Sequence, residues 1–431
     1  MENPRECALD VLIKVDKKEE LSHIAISNVL EKYQFSEKRD RAFFTRLVEG
    51  TLERQITIDY VADQFSKTKI RKCKPLIRAL LRMGIYQLLY MDQVPDSAAC
   101  NEAVKLAKKR GFSRLSGFVN GVLRNISRKK ETISYPKKDK NLVTYLSVTY
   151  SIPEWIIKFF MKTYDDETVE KIIESYLEDK KTTLCCLMSK GGKDVIRKEL
   201  EEENVTVEDG ELIENSVKIS DYDFLYRLRA FREGKCYVQD ESSMLCAKLA
   251  GAKEGQFVMD LCSAPGGKSL YTADQMKGSG QVLSRDLTEY KTDLIEDNIE
   301  RMGFTNMEAE VFDATILDEE HIEAADVVIA DVPCSGLGIM GKKNDIKYHI
   351  SEDGMKDLVK LQREILTNAV QYVKHGGTLI YSTCTINPEE NEKNMQWIIN
   401  NFDYEAVDIT EELPKNLKIE TANCLLYTSP S

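Results

Sequence analysis

Two cysteines sit where a reactive group would be useful. In DVVIADVPCSGLGIMG (Asp326–Gly341), Cys334 follows an apolar run, and in GGTLIYSTCTINPEENE (Gly376–Glu392), Cys384 does the same. A thiol at the mouth of a strand is a candidate nucleophile, because its thiolate adds to electron-poor carbon. The bland alternative is a small buried hydrophobe, which is what most of the 11 cysteines are expected to be. The surroundings favour the reactive reading. The strand before these two ends in MDLCSAPGGKS (Met259–Ser269), where Pro265, Gly266 and Gly267 permit a tight turn and close backbone approach to a ligand. That turn has neither the G-x-G-x-x-G spacing of a dinucleotide site nor a Walker loop. Each following strand ends in an acid: VLSRD at Asp286, VFD at Asp313 and VVIAD at Asp331, in step with Asp260 of the first. An acid on the second strand accepts the two hydroxyls of a ribose, and one on the third accepts an adenine amino group. An adenosine-bearing ligand with no phosphate cradle points to S-adenosylmethionine.

The thiols then have a task. Cytosine C5 is too weak a nucleophile to attack a methyl sulfonium. Addition of a thiolate to C6 makes C5 an enamine carbon that does attack, and loss of the C5 proton lets the thiol leave. An acid such as Asp331 at the pyrimidine edge would bind N4 and assist at N3. The base must be flipped or unpaired for C6 to be reached. Chemistry alone leaves Cys334 and Cys384 at even odds as the attacking group.

The elements that position these residues follow from periodicity. QFVMDL, GQVLSRD, MEAEVFD, DVVIAD and GTLIYST are expected as strands separated by helices such as TEYKTDLIEDNIERMG, which makes residues 233–423 a doubly wound α/β, Rossmann-like domain. Residues 1–130 carry apolar residues at helical spacing throughout and form an all-α domain, with Gly84, Gly111 and Pro95 expected to separate its helices. Residues 131–145 read as a charged linker. Residues 146–232 read as a small α+β subdomain with strands at TTLCCLM, VTVE and SVKIS.

Composition sets the environment. No leader and no apolar run of about 20 residues is seen, and the cysteines show no paired metal-ligand spacing. A cytoplasmic monomer without a metal is expected. The net charge of −12 divides unevenly: residues 1–150 hold 29 Lys/Arg against 18 Asp/Glu, and the rest hold 31 against 54. A basic front half on an acidic body suits contact with a polyanion. Its densest runs are KTKIRKCKPLIR, KLAKKRGFSR and RNISRKK.

DLCSAPGGKS, DVPCSGLG and STCTINPEENE resemble the RNA (cytosine-5)-methyltransferases, and GKCYVQDESS is similar to their segment before the cofactor strand. RAFFTRLVEGTLER, LRMGIYQLLY, AACNEAVKLAK and GFVNGVLRN resemble the NusB-like RNA-binding domain. Together they resemble the RsmB (Sun, Fmu) subfamily, which implies methylation of cytosine 967 of 16S rRNA. The resemblance implies Cys384 as the nucleophile and Cys334 as the group that assists proton removal or release. It implies cofactor contacts from Cys262, Ser263, Ala264, Pro265, Gly266, Gly267, Lys268, Asp286, Asp313 and Asp331. A tRNA cytosine-5 methyltransferase, or a non-catalytic RNA-binding assembly or antitermination factor, is the alternative. Two departures stand out: Cys185 and Leu187 replace a usual Arg-x-Asn, and KKNDIKY keeps Asp345 without the usual proline, which is expected to loosen that loop. Residues 424–431, CLLYTSPS, read as a non-native tail encodable by a sequencing adapter, with the family's C-terminal hairpin missing.

Overall fold

The computed structural model describes residues 3–178 and 181–414, together with the backbone strand Leu426–Tyr427. The other residues of the expected tail lie outside this range. The chain forms two compact units: Met1–Asp179 with Ile339–Ile350, and Lys180–Gly338 with Ser351–Ser431. No described helix is long and apolar enough to cross a membrane.

The first unit is helical. Its opening helix, Pro4–Asp16, begins where the Asn3 side chain accepts from the Arg5 and Glu6 amides. Leu9, Phe44, Leu47, Leu80 and Leu123 are fully buried in its core. The long apolar stretch from Lys38 to Phe65 is two helices, Lys38–Glu53 and Gln55–Phe65, broken at Arg54. Gly84 does not end a helix as expected. It lies inside Pro75–Tyr90, where a Cβ would meet Leu123 at 2.8 Å, so the missing side chain serves close packing. Helices Leu142–Tyr150, Glu154–Phe160 and Asp166–Ser175 belong to the same unit.

Residues 339–350 also pack within this unit, and their polar groups finish a helix. The last carbonyls of a helix lack internal partners. Tyr348 Oη donates to Leu52 O at 2.9 Å and Lys347 Nζ to Glu53 O at 2.8 Å, both at the C-terminal end of Lys38–Glu53. Asp345, 1% exposed, accepts from the Ser22 amide at 2.8 Å and from Ser22 Oγ at 2.7 Å. The segment expected to be loosened by the missing proline is therefore fastened at three side chains.

The second unit holds two sheets. Strands β1 (Thr182–Cys186), β2 (Thr206–Asp209), β3 (Ser216–Ser220) and β4 (Cys236–Val238) form an antiparallel sheet of order β2-β3-β1-β4. The short β4 was not expected; it lies in the segment GKCYVQDESS and pairs with β1, Leu184 opposite Val238. Cys185 and Leu187 are buried here, in a core shared with Val258, Leu270 and Ile329. Strands β5 (Phe257–Asp260), β6 (Gln281–Asp286), β7 (Met307–Val311), β8 (Ala325–Asp331) and β9 (Val373–Ser382) form a parallel sheet of order β7-β6-β5-β8-β9. All five are the strands the apolar runs predict. Helices such as Gly267–Gln275, Glu289–Met302 and Glu352–Tyr372 connect them, as parallel pairing requires.

Burial of Lys347 has a consequence for stability. Its ammonium is pushed from an ordinary 10.5 down to about 7 by burial, which outweighs attraction to Glu53. Between those values the unfolded chain binds one more proton than the fold, so stability rises with pH by up to about 1.4 kcal/mol per unit. The penalty is complete below the folded value and vanishes above the unfolded one. Lys347→Met is expected to flatten the rise of Tm between roughly pH 7.5 and 9.5. Thermal denaturation across that range checks it, and an unchanged slope in the variant would contradict it.

Candidate active site

The parallel sheet changes direction at β5: the chain runs outward through β6 and β7, then crosses to β8 and β9. Ligands of such sheets sit beyond the C-terminal strand ends at this point, and the acids and cysteines singled out by sequence gather there. Asp260 ends β5 and is 1% exposed. Its Oδ2 accepts from Ser269 Oγ at 2.7 Å, and that hydroxyl lies 2.9 Å from Ser263 Oγ. Burial pushes the Asp260 carboxyl up to about 6. Its Oδ1 is buried with no partner in the protein. Such an atom costs stability unless a bound donor satisfies it.

The turn that follows is bare backbone. Gly266 has φ +99°, a conformation that disfavours a side chain. A Cβ on Gly267 would come within 3.0 Å of Gln239 Nε2, while Tyr237 Oη donates to Gly267 O at 3.1 Å. The segment around β4 thus underlies the turn. Asp286, at the end of β6, ties the turn down: its Oδ2 accepts from the Ala264 amide at 2.9 Å, and its Oδ1 from the Leu287 amide and Lys291 Nζ, each at 2.8 Å. Asp313 lies two residues beyond β7. Hydrogen bonds from Thr315 hold its carboxyl below the usual range. An orphaned carboxylate oxygen, a side-chain-free turn and two further strand-end acids fit a ligand that carries hydroxyls and a cationic group. Cys262 contributes differently. It is partly buried against the core of Met259 and Leu283, and burial pushes its thiol up, which suits packing and not attack.

On the other side of the switch point, Asp331 ends β8. Its Oδ2 is 2.5 Å from Lys268 Nζ and its Oδ1 accepts from Ser382 Oγ at 2.7 Å. Burial works against the charge on Lys268, but Asp331 outweighs it and the ammonium is raised above its ordinary value. Both carboxylate oxygens of Asp331 are therefore engaged as acceptors. Cys334 and Cys384 follow β8 and β9, and their Sγ atoms are 3.0 Å apart. The Cys384 amide also donates to Cys334 Sγ at 3.2 Å. The neighbouring Cys384 thiol and burial push Cys334 up, against the pull of that amide. Cys384 is the exposed member.

All ten residues assigned to cofactor binding and both cysteines thus lie at the ends of β5 to β9. Sequence reasoning passed over Ser269, Ser382 and the fully buried Glu390. The only signal for the serines is adjacency, one following Lys268 and the other two residues before Cys384. Among the described residues, no group of three His, Cys, Asp or Glu is placed to hold a metal ion.

Comparison with known proteins agrees with this geometry. The family described as 16S rRNA methyltransferase RsmB/F matches residues 247–429, and the NusB family matches residues 2–128. A probable ribosomal RNA small subunit methyltransferase B of Bacillus subtilis (strain 168) is 36% identical, over 96% of this chain and 92% of its own length. Its counterpart from Synechocystis is 31% identical, over 92% and 89%. Among solved structures, the crystal structure of PH0851 superposes with a TM-score of 0.82 at 25% identity, covering 98% of this chain and 97% of that one. NSun6 from Pyrococcus horikoshii with SFG, at 19% identity and a TM-score of 0.56, shares the fold over 62% of this chain and 91% of its own.

Asp286→Ala removes the acceptor that pins the turn. S-adenosylmethionine affinity is expected to fall by roughly 10- to 100-fold, the scale of a lost charged hydrogen bond, with the far-UV spectrum unchanged. Calorimetric titration with S-adenosylmethionine measures it; native affinity in a folded variant would exclude Asp286 from the site.

Proposed function

We propose that this chain, which belongs to the ribosomal RNA small subunit methyltransferase B family, methylates C5 of a cytosine through a covalent adduct on Cys384. Family membership makes it an S-adenosylmethionine-dependent methyltransferase of small-subunit ribosomal RNA. The finer target, by resemblance cytosine 967 of 16S rRNA, and the covalent route are part of the proposal. The observation that carries it is the 3.0 Å approach of the Cys334 and Cys384 thiols beyond Asp331.

Cys384 Sγ adds as thiolate to C6 of an unstacked cytosine, which places the electron pair at C5. The Asp260–Ser269 turn and the strand-end acids would hold the cofactor, which would supply an electrophilic methyl group to C5 and leave as its thioether. Asp331, an acceptor fixed by Lys268 and Ser382, receives the N4 amino group and orients the ring. Cys334 stands beside the adduct sulfur and assists removal of the C5 proton. The C6–S bond then breaks, its electrons returning to Cys384 as thiolate while the C5–C6 double bond reforms. The NusB-family unit supports docking of the RNA: Lys67, Lys69, Arg71, Lys72, Lys105, Lys108 and Lys109 are exposed and carry the basic runs.

Cys334→Ala should accumulate a protein–RNA adduct stable to denaturing electrophoresis, since addition proceeds and release is impaired. Cys384→Ala should form none. Adducts from the Cys384 variant and not from the Cys334 variant would reverse the two roles.

A further inference from the structure

The two cysteine loops are joined beneath the thiols by a buried polar network centred on one carboxylate. Glu390, six residues past Cys384, is 0% exposed. Its Oε2 accepts from the Ser335 amide at 2.9 Å, in the residue after Cys334, and from Gln362 Nε2 at 2.9 Å. Its Oε1 accepts from Asn387 Nδ2 at 2.8 Å, three residues past Cys384. Gln362, on helix Glu352–Tyr372, also donates to Pro333 O at 2.9 Å. Ser335 Oγ and Thr385 Oγ1 share a further hydrogen bond of 2.7 Å between the loops. Asn394 Nδ2 donates to Gln362 Oε1 at 2.8 Å, and the Tyr381 hydroxyl donates to the Glu390 carbonyl.

A carboxylate is the group this arrangement requires. The three groups bonded to the Glu390 carboxylate are all N–H donors, and an ionised carboxylate is acceptor-only on both oxygens. Among the described residues no cation lies within ion-pair distance of it, so hydrogen bonds alone hold its charge. Removing a buried charge from water is expensive, and an apolar side chain of similar size would fill the same volume. What an apolar residue would not do is fix two separate loops at defined distances. We propose that Glu390 is a positioning residue: its carboxylate, as common acceptor for the Pro-Cys and Thr-Cys loops, sets the separation of the Cys334 and Cys384 thiols. This rests on the reading of the two cysteines as the reacting pair.

The test uses the full chain and Glu390→Gln. The amide is isosteric but turns an NH₂ toward donors, so one loop loses its acceptor. Dibromobimane, which fluoresces only after both of its arms have alkylated thiols, reports thiol proximity without RNA or turnover; the Cys384→Ala chain supplies the blank. In Glu390→Gln the Cys384-dependent bimane rate is expected to fall about 10-fold and kcat about 100-fold, the cost of a misplacement near 1 Å. S-adenosylmethionine affinity and KM for RNA should stay within about twofold. Either the bimane rate or kcat remaining within about threefold of native overturns the proposal. Should Glu390→Gln lose cofactor binding through misfolding, Gln362→Met keeps the carboxylate and removes one donor; a native bimane rate in that chain overturns the proposal equally. Because the bimane readout needs no adduct, failure of the covalent route and failure of the positioning role give different results.

Discussion

Parallel pairing of β8 with β9 is the constraint on which the site depends. The register sets Asp331 opposite Ser382, and the bond between their side chains closes the pairing at the strand ends. Two thiols separated by 50 residues of chain then emerge side by side. A shift of one residue in that register would invert every side chain of β9. It would take Ser382 from Asp331 and send Leu379 and Tyr381, both buried, to the opposite face. Leu379, Ile380 and Tyr381 are buried on both faces of β9, so the polar pair at the strand end is what is particular to this register.

The same strand ends create an electrostatic gradient across the switch point. Asp260 is buried and raised, with an oxygen left unpaired, whereas Asp331 has Lys268 on one oxygen and Ser382 on the other. Two carboxylates on neighbouring strands are thereby made unlike by their surroundings, one awaiting a donor and one fixed as an acceptor. The thiols divide in the same manner. The neighbouring Cys384 thiol and burial raise Cys334, while Cys384 is the exposed member. Burial is the larger cause at Asp260, and the neighbouring thiol is the larger cause at Cys334.

The lysine, acids and cysteines were legible because each occupies the boundary between an apolar run and a turn, a pattern that local sequence records. The parallel sheet was legible for the same reason. The approach of Cys334 to Cys384 was not, since it is a contact made only after folding. Strand β4 escaped because three residues flanked by Lys235 and Asp240 carry little periodicity, and its existence depends on pairing with β1. Gly84 misled because a glycine within a helix and one that ends it look alike until Leu123 is seen against it. The burial of Lys347 and Asp345 in KKNDIKY is not visible in the local sequence. Their partners, Glu53 and Ser22, lie about 300 residues earlier in the chain, a separation that local pattern does not reach.

Glu390 belongs to that unreadable class, and its burial says something about how such a site is built. Apolar packing tolerates rearrangement at constant volume, so a platform of leucines would leave two loops free to slide by fractions of an ångström. A carboxylate with donors from Ser335, Gln362 and Asn387 has one low-energy arrangement, because any slide leaves a buried donor or the charge unsatisfied. The desolvation cost is offset where precision has chemical value. Under the proposed covalent route that value is plain: a thiol that reaches C6 and a second thiol beside it depend on a separation that hydrophobic burial alone does not define.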